Sequence, residues 1–181
     1  MTIDFDFHTH NLLAPEGKAI INLPEEALLN PAAFQLRPHC LYSAGIHPWW
    51  TSSDTEQHFS GLYLWAQHPQ VVAIGECGLD KLQGGRLPHQ QEVFERQIAL
   101  AEAVGKPMTV HCVKSFDLLL SIYRRLRPQT TWTIHGFRGK PELAQTLLRA
   151  GMNLSFGKHY NEESFALTPI HRRHQESDDC F

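Results

Sequence analysis

Short apolar runs alternate with amphipathic stretches along the whole chain. Runs of four to six residues, bounded by Gly, Pro or polar clusters, have the length of buried strands. They fall at 3–7, 19–23, 41–46, 71–74, 107–110, 131–134 and 152–156. Between them apolar residues recur near helical spacing. Val93, Phe94, Ile98, Ala101 and Val104 mark a helix from about His89 to Val104, stopped by Gly105. Further helices are expected at 24–29, at 53–67 behind a Ser53-Asp54 cap, at 115–126, and at 141–149 before Gly151. Pro15 and Gly17 make 11–18 a loop, so the first crossover has no helix. Residues 170–178 show no apolar periodicity, and pattern alone makes them a loop.

Strand and helix alternate without a hairpin signal such as Asn-Gly, which implies a parallel sheet wrapped by helices. With the last segment counted there are eight strand candidates, which suits an α/β fold of the (β/α)8 TIM-like barrel type. Such barrels commonly take about 250 residues. This chain has 181, so a pared-down barrel is expected, with the final helix absent. That arrangement would expose apolar surface between strands eight and one. No repeat, linker or low-complexity segment divides the sequence, and residues 1–181 are expected to form a single domain.

Hydrophobic residues are 42% and charged residues 19% of the chain, the balance of an ordinary globular protein. A formal net charge of -3 argues against a general electrostatic nucleic-acid binder. Apolar stretches fall far short of the roughly 20 residues of a membrane span, and the N-terminus lacks signal-peptide features. A cytoplasmic protein without a membrane partner is expected. Cys40, Cys77, Cys112 and Cys180 show no CxxC spacing and are expected to be reduced thiols. Twelve histidines stand out, since imidazole is the commonest metal ligand.

Strand alternation places Asp6, His8 and His10 on one face and Phe5 and Phe7 on the other. A His-x-His pair is weak evidence alone. Glu76, His111 and His135, however, also fall at or just past predicted strand ends, and in a parallel barrel those ends meet on one rim. Singly, a His there is more often a hydrogen-bonded core residue, and a Glu a helix cap. Five such residues at four strand ends point to a metal site. Four imidazoles and one or two carboxylates suffice for two divalent ions, with Glu76 able to bridge. The surplus positive charge favours an anion, a phosphate ester above all. Two ions about 3.5–4 Å apart can generate a hydroxide and steady the attacking and leaving oxygens of phosphoryl transfer.

Several motifs run nearly end to end. Asp6-Phe7-His8-Thr9-His10 has the form DxHxH, Gly45-Ile46-His47-Pro48 the form GxHP, and Ile74-Gly75-Glu76-Cys77-Gly78-Leu79-Asp80 the form IGExGLD. Gln91, Phe94, Gln97, Leu100 and Ala101 fit QxxFxxQxxLA, followed by Val110-His111, Ile134-His135-Gly136-Phe137, Ser155-Phe156-Gly157 and Glu176-Ser177-Asp178. In this combination the sequence resembles the TatD family of metal-dependent deoxyribonucleases, within the amidohydrolase superfamily. The resemblance implies that the last segment is an eighth strand and that Asp178 is its metal-binding, general-base aspartate. It implies one ion on His8, His10, Glu76 and Asp178, and a second on Glu76, His111 and His135. It makes His47 a substrate phosphate contact, against the alternative of a turn residue before Pro48.

The chain departs from that pattern in places. Lys81 stands where the family often has an aromatic, and Lys114 where it commonly has Arg. Lysine meets a phosphate as a point charge without the bidentate fork. The chain stops three residues after Asp178, and residues 172–175 are polar where the family is apolar. A minimal lineage and a truncated polypeptide are both open, and the first metal site is affected more than the second.

Lys81, Lys114, Arg138, Lys140 and Lys158 lie in loops after strands. Each is accounted for singly as a solvated charge, and together they suit an anionic substrate. Trp49 and Trp50 can stack a terminal base or pack on the rim. The expected function is a metal-dependent hydrolase of phosphodiester bonds, a 3′-5′ DNA exonuclease using a two-metal-activated water. The two divalent ions are Zn, Mn or Mg, and the substrate is a DNA end or a small phosphate-containing molecule. Two alternatives stay open: a hydrolase of a small amide, lactone or phosphate ester on the same scaffold, and a non-catalytic truncated scaffold.

Overall fold

The structure, a computed structural model, describes residues 4–179. Eight strands lie in sequence order in one sheet, each parallel to the next, and form a nearly closed barrel. They are β1 (Asp6–Thr9), β2 (Ala19–Asn22), β3 (Leu41–Ala44), β4 (Val71–Asp80), β5 (Met108–Val113), β6 (Trp132–Ile134), β7 (Asn153–Phe156) and β8 (Arg173–Gln175). The helices are α1 (Glu25–Leu29), α2 (Glu56–Gln67), α3 (Leu87–Val104), α4 (Phe116–Leu126), α5 (Pro141–Ala150) and α6 (Glu162–Leu167). Ile3, expected to open the first strand, and Cys180 lie outside the described residues. Among the described residues, no helix is long and apolar enough to cross a membrane.

The helices bury their apolar stripes on the barrel. Leu119 and Ile122 of α4, Ala144 and Leu147 of α5, and Phe94 and Ile98 of α3 are all buried. Full burial of each large aliphatic or aromatic side chain contributes about 1.5–3 kcal/mol. Phe94 and Tyr123 pack edge-on around the fully buried Trp132 of β6, with ring centroids 5.3 and 4.9 Å away. Helix α6 was not expected, because its apolar content is slight. Its start is marked instead by Asn161, whose side chain accepts the Ser164 N–H, with Glu162 and Glu163 in the first turn.

Two strands run further than the apolar pattern indicates. The expected strand 71–74 continues to Asp80, and the expected 107–110 continues to Val113. Glu76 and His111 therefore sit inside strands, not past their ends. The glycines around Glu76 serve a close approach of strands. Gly75 has φ +153°, and a Cβ there would lie 2.4 Å from the Thr109 carbonyl oxygen. Pairing resumes beyond it, with Gly78 opposite His111 and Asp80 opposite Val113.

β8 forms although nothing in its pattern is apolar. Its side chains are half-buried, and each finds a partner that suits it. Just before the strand, Arg172 donates to the carbonyls of Leu148 and Met152 and to Asn153. The Arg173 guanidinium lies 4.1 Å from the centroid of the Phe165 ring. His174 stacks on Phe7 at 4.3 Å. The strip between β8 and β1 is thus part polar, although Phe5 stays 40% exposed. Just past β8 the chain meets β1 again. Asp178 N–H donates to the His8 carbonyl, and His10 N–H to that of Asp179, both at 3.1 Å.

Candidate metal centre

The upper rim is organised around one buried carboxylate. Glu76 is 3% exposed, and five imidazole nitrogens surround it. Its Oε1 lies 2.7 Å from His135 Nε2, 2.8 Å from His111 Nδ1 and 3.0 Å from His47 Nε2. Its Oε2 lies 3.2 Å from His8 Nε2 and 3.3 Å from His10 Nε2. Asp178 Oδ1 stands 3.7 Å from the same His8 and His10 nitrogens. The ladder slips register next to the His8 and Glu76 segments, between Asp6 and Thr9 in β1 and between Ile74 and Cys77 in β4. Such irregularities re-aim side chains at strand ends, and here they turn His8 and Glu76 toward one another.

This donor set fits a divalent cation. A carboxylate has about four lone-pair directions, too few for five N–H donors. His8 and His10 also face each other through ring nitrogens 3.3 Å apart, so at least one neutral ring presents a lone pair. Partners on the far side of the ring bear on the tautomer of His111, His135 and His47. His111 Nε2 is 3.2 Å from Asp80 Oδ2, and His135 Nδ1 is 3.3 Å from Glu176 Oε1. With a cation bound, both second nitrogens would donate outward and the inward ones would present lone pairs, the arrangement of a metal-ligating histidine. His47 differs. Its Nδ1 accepts the Trp49 N–H at 3.1 Å, so the neutral ring carries its proton on Nε2 and donates it to Glu76. Among the described residues, three overlapping groups could hold an ion: His8, His10 and Glu76; His8, His135 and Asp178; and His47, Glu76 and His111.

Charge follows geometry. Burial works to raise the Glu76 carboxyl, but the His135, His10 and His111 imidazoles hold it well below the usual carboxylate range. Burial works to lower His135, but Glu76 and Glu176 hold it well above the ordinary 6.5. His10 is raised too, Glu76 and Asp178 outweighing burial. In His47 burial prevails over Glu76 and lowers it, in keeping with a neutral donor.

The residues singled out from sequence distribute as follows. His8, His10, His47, Glu76, His111, His135 and Asp178 all come together. Lys114 and Arg138 are exposed and line a cavity of about 750 Å³ shared with Trp49, His111, His135 and Asp178. Lys158 lines an adjoining cavity with Arg138, and Lys81 and Lys140 line neither.

Sequence reasoning missed the supports. Asp80 and Glu176, each 2% exposed, orient His111 and His135. Their signal was present, as the acid that closes IGExGLD and the acid that opens Glu176-Ser177-Asp178. Asn22 Oδ1 accepts the Glu76 N–H at 2.7 Å, and Gln97 clasps both backbone groups of Ile46 at 2.7 and 3.1 Å, next to His47. Gln97 stands in the QxxFxxQxxLA motif, whereas Asn22 falls in none.

A model of the family described as TatD related DNase matches residues 24–178. The chain belongs to that family. Among curated relatives, the 3'-5' ssDNA/RNA exonuclease TatD of Musicola paradisiaca is 35% identical over 118 residues, 64% of this chain and 45% of that protein. That of Klebsiella pneumoniae is 35% identical over 136 residues, 72% of this chain and 50% of that protein. The Homo sapiens 3'-5' RNA nuclease TATDN2 is 34% identical over 117 residues, 62% of this chain and 15% of that protein. The chain thus spans about half the length of the bacterial relatives it matches. The crystal structure of YJJV, a TatD homologue from Escherichia coli k12, has the same fold. Its TM-score is 0.79 at 22% identity, over 98% of this chain and 80% of that one. In this TatD-related chain the matched span holds Glu76, His111, His135 and Asp178. His8 and His10 precede it, and they reach Glu76 through the meeting of β1 and β8.

Proposed function

We propose that this chain is a metal-dependent hydrolase that cleaves phosphodiester bonds of single-stranded nucleic acid, DNA above all, from the 3′ end. The observation that carries this reading is the convergence of His8 and His10 on one oxygen of Glu76, and of His111 and His135 on the other. His8, His10, Glu76 and Asp178 would hold one divalent ion, and Glu76, His111 and His135 the second. Imidazole-plus-carboxylate ligands suit Zn or Mn, with Mg served by more waters. Such ions supply Lewis acidity, which activates water and offsets charge on phosphate oxygens.

The chain's own groups divide the remaining work. Asp178, 34% exposed and beside His8 and His10, receives the proton of the attacking water. His47 donates its Nε2 proton to a substrate oxygen in place of Glu76. Lys114 and Arg138, across the same cavity, meet the flanking phosphates. The names of the curated relatives, exonucleases of ssDNA and RNA, support the substrate class.

Elemental analysis and digestion of a 5′-labelled single strand test this reading together. The expected result is about two ions per chain after loading with Mn or Zn, and a ladder of products shortened stepwise from the 3′ end. A chain that binds neither metal, or that leaves the loaded strand intact, refutes it.

A further inference from the structure

The Trp49 side chain is unusual for being both exposed and fixed. Its ring is 46% exposed on the wall of the cavity that holds His111, His135, Lys114, Arg138 and Asp178. Its indole N–H donates to Asp80 Oδ2 at 2.7 Å. The ring stands nearly perpendicular to His47 and His111, with centroids 4.8 and 6.1 Å away.

The surroundings of Asp80 serve this placement. Its Oδ1 accepts the N–H groups of Leu82 and Gln83 at 2.8 and 3.2 Å, which folds the following loop back under the Pro48–Trp50 turn. Gln90 secures that loop through the carbonyls of Asp80, Gln83 and Gly85. Gly85 N–H donates to Thr51 Oγ1 at 3.2 Å. Gly84 has φ +85°, and a Cβ there would meet the Pro48 carbonyl oxygen at 2.1 Å, so only glycine lets the loop pass this close. An exposed tryptophan needs none of this for folding. Trp50 is different: half-buried, it stacks on His58, which is itself held by Glu25 at 2.8 Å.

We propose that Trp49 is the platform on which the unpaired 3′-terminal base stacks, and that Asp80 is the positioning residue that sets its ring. The proposal rests on the phosphodiesterase reading above and names how that site selects its substrate. The indole N–H is already engaged by Asp80, so the ring offers a face and no hydrogen bond. Every base has a π-face, so recognition is tolerant of sequence. A base lying on the ring must leave its duplex partner, so unpaired ends are preferred to blunt ones. Lys114 and Arg138, on the same cavity, then meet the phosphates of the strand as it leaves.

The test compares kcat/KM for two single strands that differ only in the last nucleotide, one with its base and one abasic, on the Mn-loaded protein. Wild type is expected to favour the base-bearing end by roughly five- to 150-fold, the range of one base stacked on an aromatic ring. Trp49→Ala should bring that ratio close to one, and Trp49→Phe should keep most of it. Asp80→Ala should lower the same ratio, with partial recovery in Asp80→Asn, whereas a role confined to supporting His111 would lower both rates and leave the ratio intact. Equal cleavage of both ends by wild type, or an unchanged ratio in Trp49→Ala, overturns the proposal. Cleavage of neither strand by wild type refutes the phosphodiesterase reading instead. The platform is then decided by binding of a strand ending in 2-aminopurine. Quenching that disappears in Trp49→Ala upholds it, and absence of quenching overturns it.

Discussion

Oε1 of Glu76 faces imidazoles carried by adjacent strands of the sheet interior or by the loops just past them, while Oε2 faces His8 and His10 where the first strand meets the last. On the first side position is inherited from the ladder. β4 and β5 pair through Asp80 and Val113, and buried Asn22, Gln97, Asp80 and Glu176 brace the ligands. On the second side position rests on a few polar contacts. Asp6 accepts from Ser177 N–H at 2.9 Å and Ser177 Oγ at 2.5 Å, and Asp178 adopts φ 52° with a side chain 34% exposed. A left-handed backbone at a non-glycine residue persists only where neighbours enforce it. The seam half is therefore the softer one, and the ion proposed there is expected to bind more weakly than the other.

The largest effect comes from removing what the halves share. Glu76→Gln keeps the shape and withdraws the charge from both. It should empty both half-sites and lower hydrolysis by more than the roughly 100-fold that losing an outer ligand partner costs at most. Metal analysis that finds one ion retained would show that the halves do not depend on a common carboxylate.

Asp6→Ala separates them. It removes the acceptor of Ser177 N–H, Ser177 Oγ and His8 N–H. Hydrogen bonds to a charged group contribute about 1.5–3 kcal/mol each and do not add fully, so a loss of about 3 kcal/mol is expected. Denaturant melts measure the loss, and metal titration should show the His8–His10 ion weakened with the other kept. Equal weakening of both would contradict the difference between the halves.

Gln97→Ala tests the interior side. It orphans the buried Ile46 N–H and carbonyl, at a cost of about 1–3 kcal/mol. The effect should fall on KM through His47, with metal content unchanged. Loss of metal from Gln97→Ala would mean that the interior half is no better braced than the seam.

The gentlest probe is pH. Burial notwithstanding, Glu76 and Glu176 raise His135 well above 6.5, and His135 and its neighbours lower Glu76 well below 4.5. In the metal-free protein the His135 contribution to stability is full below 6.5 and is lost as pH rises through the raised value. That of Glu76 is full above 4.5 and is lost as pH falls through the lowered value. Both act together between 4.5 and 6.5. A cation needs His135 neutral, so its affinity should climb with pH, about tenfold per unit while one proton is displaced, until the raised value is passed. Thermal melts with and without Mn across that range should therefore separate as pH rises. A constant separation would remove His135 from the ligand set.

Much of this was legible in the chain itself. Apolar runs such as 71–74 and 131–134 announced parallel strands, and the histidines and Glu76 announced the cluster of candidate metal ligands, because burial and ligation demand particular residue types. β8 was not legible, since Arg172, Arg173 and His174 are satisfied by carbonyls and rings supplied from α5, β7, α6 and β1. Nor was the difference between His47, whose far nitrogen meets an N–H, and His111, whose far nitrogen meets a carboxylate, since a ring's tautomer depends on what touches its far nitrogen. The sequence by itself determined the barrel class, its strand order and the inventory of candidate ligands, because these depend on periodicity and residue chemistry. Only the tertiary structure decided which oxygen of Glu76 each imidazole faces, which tryptophan is offered to the cavity, and how the polar seam closes. Those outcomes depend on distances of a few ångströms between segments far apart in the chain, and no local pattern encodes them.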